Sequence, residues 1–263
     1  MNELPPNPIL EFNPNQMEKV RKSFNYGDIN RLRQDISMFE DWIKMQHHFL
    51  IKEYDKEYLE RFLINSKGSI ERAKKLFDRM CTLRGLMPEY LQGFDIENDD
   101  ACLLPKPTAE NHRVLYFNIP NPDTPIFLLG YFYTFFRSYL QEAIGFRMRG
   151  MHLISGSKLI DVLVGILKQG MSKKLQSRLH VHETFESLFK LIHKDLLPKD
   201  IGGNQDTSNK ISEKTFKELS SSAFIKKMKF LESAATDETK RLSSKFNEEY
   251  SGMPGSFKVL TVD

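Results

Sequence analysis

The run Ser157 to Met171 limits this chain more than any other feature. Leu159, Ile160, Val162, Leu163, Val164, Ile166 and Leu167 cover most of the circumference of the helix it predicts, and only Lys158, Asp161 and Lys168 interrupt them. A helix that is apolar nearly all round must be buried, or must itself cover something apolar. The chain therefore needs a fold with an inner helix, or a helix that lies over a lipophilic guest.

The neighbouring segments favour a layered fold. Arg113 to Asn118, Gly150 to Ile154 and Arg178 to His182 are short apolar runs that predict strands. The aromatic run Thr124 to Ala143 and the run Ser157 to Met171 predict helices between them. Strands alternating with helices imply a parallel sheet in an α/β domain. The amino-terminal part differs. Asp28 is placed to cap a helix whose stripe is Ile29, Leu32, Ile36, Phe39 and Ile43, with Trp42 beside it as a core residue. A second helix is expected near Lys56 to Leu63. A third is capped by Ser69, with Ala73, Leu76, Phe77, Met80 and Leu83 as its apolar face. The domain reading is a mobile segment over 1–26, a helical module over 27–95, an α/β domain over 105–205, and helices with a tail over 206–263. The acidic stretch Glu97 to Pro107 reads as a linker.

Charge is local. Between Arg147 and Arg178 stand Arg147, Arg149, Lys158, Lys168, Lys173, Lys174 and Arg178 against Asp161 alone, a net +6, whereas the whole chain is only +3. The small total argues against general nucleic-acid binding. Cations clustered beside an apolar helix suit a peripheral contact with an anionic membrane. No basic region followed by an apolar stretch opens the chain, and the longest apolar run, Ile126 to Phe136, is far shorter than the roughly 20 residues of a membrane span. A cytoplasmic, transiently membrane-associated protein is expected.

Motifs for chemistry are sparse. His180 and His182 would share a face of a strand and could seat a metal, but no third ligand is positioned, and surface or core histidines are the favoured reading. Ser155-Gly156-Ser157-Lys158 lacks the earlier glycine of a phosphate loop. No nucleophile elbow and no paired-carboxylate or Ser/His/Asp pattern stands out. The two cysteines, Cys81 and Cys102, read as free thiols. The expectation is no enzyme, no metal and no cofactor.

The segment FRMRGMHLISGSKLIDVLVGILKQGMSKKLQSRLHVH (Phe146 to His182) resembles the CRAL-TRIO lipid-binding domain. LLPKDIGG (Leu196 to Gly203) resembles the pattern that closes it, and EYLERFLINSKGSIERAKKLFDRMCTLR (Glu57 to Arg84) is similar to its helical amino-terminal module. LPKPTAENHRVLYF and GSFKVLTVD resemble the insect branch related to α-tocopherol-transfer and retinaldehyde-binding proteins. The resemblance implies helices over a small, mostly parallel sheet holding one lipophilic molecule, and exchange of that molecule between membranes without covalent chemistry. It also implies a phosphoinositide headgroup site at Arg147, Arg149, Lys174 and Arg178. A third cationic element of some relatives falls on Ser66, next to Lys67. The lipid pocket is expected at Phe127, Gly130, Tyr131, Thr134, Met151 and Leu153, with Ile160, Leu163, Val164 and Leu167 on a lid helix. Relatives carry one more strand and crossover helix, on the order of 40 residues, where Phe135 to Leu140 here joins two segments directly near 136–139. The pocket is therefore expected to be smaller, open or collapsed. Expected partners are a hydrophobic small molecule and phosphoinositide membranes, for a monomer. The alternative is a shortened scaffold or interaction protein without lipid carriage.

Overall fold

The computed structural model describes residues 6–86, 101–117, 147–155 and 158–241. Two compact units share these residues: one holds 21–86 and 225–241, the other 6–20, 101–117, 147–155 and 158–224.

The first unit is helical. Its helices are α2 (Ile29–Met45), α3 (Lys56–Asn65) and α4 (Ile70–Leu86), following the short α1 (Gln16–Ser23). Asp28 caps α2 by accepting from the Asn30 amide, as its position predicts. The Ser69 hydroxyl takes the Arg72 amide at the start of α4. The anticipated stripes form the core: Leu32, Ile36, Phe39 and Ile43 meet Ala73, Phe77, Met80 and Leu83, with Ile29, Trp42 and Leu76 packed against them. Phe77 stands edge-on to Phe39, Phe49 and Phe62, the arrangement in which positive ring edges meet negative faces.

The expected mobile lead-in differs from the structure near its end. Arg21 on α1 is buried and bonded in a fork to both oxygens of Glu60 at 2.7 and 2.9 Å, and Tyr26 is 1% exposed with its hydroxyl donating to Asp35. Composition showed the prolines and asparagines of this segment but not its distant acidic partner. The carboxyl-terminal stretch also returns to this unit. Leu50 N–H donates to Ala235 O, and Asp237 N–H donates to His48 O. Arg241 donates twice to Asp78 and once to Thr82.

The second unit carries the strands. β1 (Ala101–Leu103) and β2 (Leu115–Phe117) pair antiparallel, and β3 (Met151–Ile154) and β4 (Leu179–His182) pair parallel. Part of the expected linker, Glu97 to Pro107, is thus a strand, with Cys102 and Leu104 buried. A three-residue strand that follows two aspartates and precedes two prolines has no periodicity to announce it. Among the described residues β2 pairs with β1 and not with β3. The connection from β3 to β4 runs through α5 (Lys158–Gly170) and α6 (Lys173–Gln176), the crossover that parallel strands require.

Helix α7 (Phe185–Phe189) follows β4, and α8 (Ser208–Leu219) packs on β1. Then comes α9 (Ser222–Ser233). The LPKDIGG turn lies between α7 and α8. Gly203 donates its amide to the Pro198 carbonyl at 2.8 Å. A side chain on Gly203 would overlap the Leu197 carbonyl, which is why this turn needs glycine there. Asp200 beside it accepts from both the amide and the hydroxyl of Ser208 at the start of α8. Burial raises the Asp200 pKa, but these bonds outweigh it and hold the carboxyl below its usual range. The segment around 136–139 and the aromatic run lie outside the described residues.

Candidate functional site

The β3–β4 pair has two unlike faces. Alternation puts Met151, Leu153, Leu179 and Val181 on one side and His152, Ile154, His180 and His182 on the other. The apolar face packs with Val164 of α5, Met171 and Leu175 in one cluster. The other face meets α7, where Ile154 packs with Leu188, Phe185 and Phe189.

Of the expected pocket and lid residues, the structure brings Met151, Leu153 and Val164 together; Val164 is 5% exposed. Phe127, Gly130, Tyr131 and Thr134 lie outside the described residues. So do the side chains of Ile160, Leu163 and Leu167, although their backbone lies in α5. That helix is not covered all round. Val162 and Ile166, one turn apart, are 60% and 56% exposed, and among the described residues nothing lies within 4 Å of where a Gly165 side chain would start.

Three of the four expected headgroup cations stand in the leads at the amino-terminal end of the parallel pair. Arg147 and Arg149 lead into β3, and Arg178 leads into β4. The register Met151↔Leu179 sets Gly150 opposite Arg178. Arg178 ties the two leads together: its backbone carbonyl accepts from Met151 N–H at 2.8 Å, and its Nη1 donates to the Met148 carbonyl at 2.6 Å. Lys174 is exposed on α6, whose first turn is capped by Ser172. Arg149 is exposed and Arg147 half-buried. Burial first, and then the like charge of Arg149, lower the pKa of Arg147. His112 is lowered by burial and by that same arginine, with Glu110 opposing. Repelling cations held together are what an anion site requires, since a phosphate group relieves their mutual repulsion. Ser66, the position of the third cationic element, is buried at the end of α3, and Lys67 beside it takes a left-handed turn (φ 57°).

The histidine face holds more than the sequence suggested. His152 joins His180 and His182: its ring stacks on His180 at 5.0 Å and on His182 at 5.3 Å, and its Nδ1 lies 3.0 Å from His182 Nε2. The parallel register, which pairs His152 with His180, is the signal that could have found it. Burial, followed by His180 and His182, pushes His152 down to about 4. Burial and then His180 also lower His182. Among the described residues no group of three or more His, Cys, Asp or Glu side chains is arranged to hold a metal ion. Cys81 and Cys102 are both buried free thiols, and burial pushes them up to about 12 and about 11, out of the range of reactive thiolates.

Among the described residues no helix is long and apolar enough to cross a membrane. The family model for the Pinta-like UBA domain matches residues 28–101, which include α2 to α4. The family model for the CRAL/TRIO domain matches residues 131–203, which include β3, α5, β4 and the LPKDIGG turn. No curated protein matches the chain. The CRAL/TRIO domain is a lipid-binding module, and proteins of its family are typically non-enzymatic. Residues 131–203 of this chain are thus similar to the CRAL/TRIO domain, and residues 28–101 to the Pinta-like UBA domain.

Proposed function

We propose that this chain carries a lipophilic ligand between membranes and engages phosphoinositide headgroups (phosphatidylinositol bisphosphate) through Arg147, Arg149, Lys174 and Arg178. The observation that carries this reading is the register of β3 and β4, which gathers the two basic leads at one end of the pair. Val162 and Ile166 support it as well. They are an exposed apolar pair on α5, followed by Lys168, Lys173 and Lys174, a composition suited to an anionic lipid surface. Such a protein works as a cytoplasmic monomer that visits membranes and carries out no covalent step. The ligand is tocopherol-, retinoid- or phospholipid-like.

Vesicle co-sedimentation tests the headgroup site. Each cation near an anionic surface contributes about 1 kcal/mol, so reversing Arg147 and Lys174 to Glu removes at least about 2 kcal/mol, roughly 30-fold in affinity. Unchanged binding to phosphatidylinositol bisphosphate vesicles would overturn the site. Mass spectrometry of lipids that co-purify with the native protein tests carriage. The match to a Pinta-like UBA domain favours a second reading, an interaction protein without lipid carriage. Absence of retained lipid, together with dye binding to exposed apolar surface, would select it.

A further inference from the structure

The histidines of the β3–β4 pair form a directed chain of hydrogen bonds. Ser187 donates its hydroxyl proton to the Thr184 carbonyl at 2.7 Å, so its oxygen is left to accept from His182 Nδ1–H at 3.1 Å. His182 then holds its lone pair at Nε2, and His152 Nδ1–H donates into it at 3.0 Å. With both rings neutral, this order leaves one lone pair over, at Nε2 of His152. That atom faces Gly150, where a side-chain carbon would stand only 2.8 Å away. The chain of bonds therefore runs from the start of α7, across both strands, and ends beside Arg147-Met148-Arg149-Gly150.

Resting on the headgroup site proposed above, we propose that His152 is a further anion-contacting residue of that site, which takes up a proton at Nε2 when a phosphate-bearing ligand binds and donates the new N–H to a phosphate oxygen. The bond order directs the proton there. A proton on His152 Nε2 leaves the bond from Nδ1 to His182 intact. A proton on His182 Nε2 would set N–H against N–H. His180 and His182 of β4 face the ring. The charged groups of the neighbouring segments are Arg147 and Arg149 in the lead into β3 and Arg178 in the lead into β4, whose guanidinium donates to the Met148 carbonyl. Glu183 and the α7 residue Glu186 are exposed beside the far end, and Glu186 bonds to Thr184. His112 lies in the field of Arg149. Burial and the neighbouring histidines keep His152 neutral in the free protein. A polyanion bound beside Gly150 adds a negative field and an acceptor at Nε2, which oppose that effect and favour the imidazolium.

The full chain titrated with inositol hexakissulfate tests this, because that polyanion has no titration of its own near neutrality. Calorimetry at about pH 5.5 in two buffers of different ionisation enthalpy should show a fraction of a proton taken up per ligand, and affinity about three- to tenfold tighter than at about pH 7.5. The nitrogen resonances of His152 in the unaltered protein should move to the imidazolium position on addition of the ligand. His152→Gln should bind without proton uptake and with less than about a twofold pH effect, while His180→Gln keeps both. Uptake that survives His152→Gln, or binding with no uptake at all, overturns the role of His152 and leaves the basic site standing. No binding of the sulfate, of soluble inositol phosphates, or of phosphatidylinositol bisphosphate vesicles overturns both. An equal pH slope with soluble inositol phosphate and with vesicles would show that the phosphate group itself is what is read. A slope with vesicles alone would assign recognition to the lipid-borne headgroup.

Discussion

Asp78 shows how much one side chain can hold in place. It accepts from His48 at 3.0 Å and twice from Arg241, in a site where the two ion-pair side chains are 13% and 7% exposed. Burial alone would raise its pKa, but the bonds from His48 and Arg241 bring it below the carboxylate range. Removing one partner of a buried pair leaves an uncompensated charge, so Arg241→Ala should destabilise the helical unit by about 3–5 kcal/mol, measured by urea denaturation. Gly203→Ala should also destabilise, by about 3 kcal/mol, because the new carbon overlaps the Leu197 carbonyl; a fall in Tm of roughly 6–12 °C checks it. These two residues differ in how they could be read from sequence. The second glycine of LLPKDIGG stood in a recognisable pattern, and its steric reason is local. Arg241 carried no local signal, because its partner lies 163 positions away. His152 was passed over for the same reason. Its partner is 30 positions distant, and only the register of a parallel pair brings the two rings together.

At the scale of elements, α5 divides its apolar residues between two tasks. Val164 faces the β3–β4 pair and Val162 and Ile166 face outward. Val164→Ala should cost about 2 kcal/mol of stability, whereas replacing Val162 and Ile166 with Glu should leave Tm nearly unchanged and abolish vesicle binding. Loss of fold in the second variant, with vesicle binding retained by whatever stays folded, would contradict the assignment. The helix itself was legible from its length and apolar content. Its two faces were not, because a stripe on every side does not say which side meets the sheet. The strands of the parallel pair were legible too, whereas β1 was hidden by its length. The β3–β4 pair should also be sensitive to acid. His152 is neutral in the fold down to about 4, while an unfolded histidine titrates near 6.5. Between those values the unfolded chain binds more protons, so stability is complete above about 6.5 and is lost as the pH falls toward about 4. Hydrogen-exchange protection of the Leu153 and His182 amides, corrected for intrinsic rates, should decline through that window and decline less in His152→Gln.

For the whole molecule, position along the chain and membership of a unit do not coincide. A reading by sequence order placed 206–263 together as terminal helices. In the structure α8 packs on β1, while residues 234–241 are bound into the helical unit formed by 21–86. Among the contacts that hold that return are the Leu50 amide on Ala235 O, the Asp237 amide on His48 O, the bridge Phe49↔Thr236, and the Arg241 fork on Asp78. Ala234 is fully buried, and its carbonyl accepts from Arg84. A chain ending at Ser233 would leave His48 and Asp78 without these partners in a buried setting. Each orphaned polar group costs about 1–3 kcal/mol, and the loss of the ion pair more, so the sum approaches the whole stability of a small helical domain. The shortened protein should therefore lose the cooperative unfolding of its helical unit, while the β3–β4 pair and the LPKDIGG turn, which make none of these contacts, keep theirs. Residue-resolved hydrogen exchange distinguishes the outcomes: protection lost at Phe39 and Phe77 but kept at Leu153 and His182 is expected, and protection kept at all four would mean that the returning segment is dispensable to the helical core.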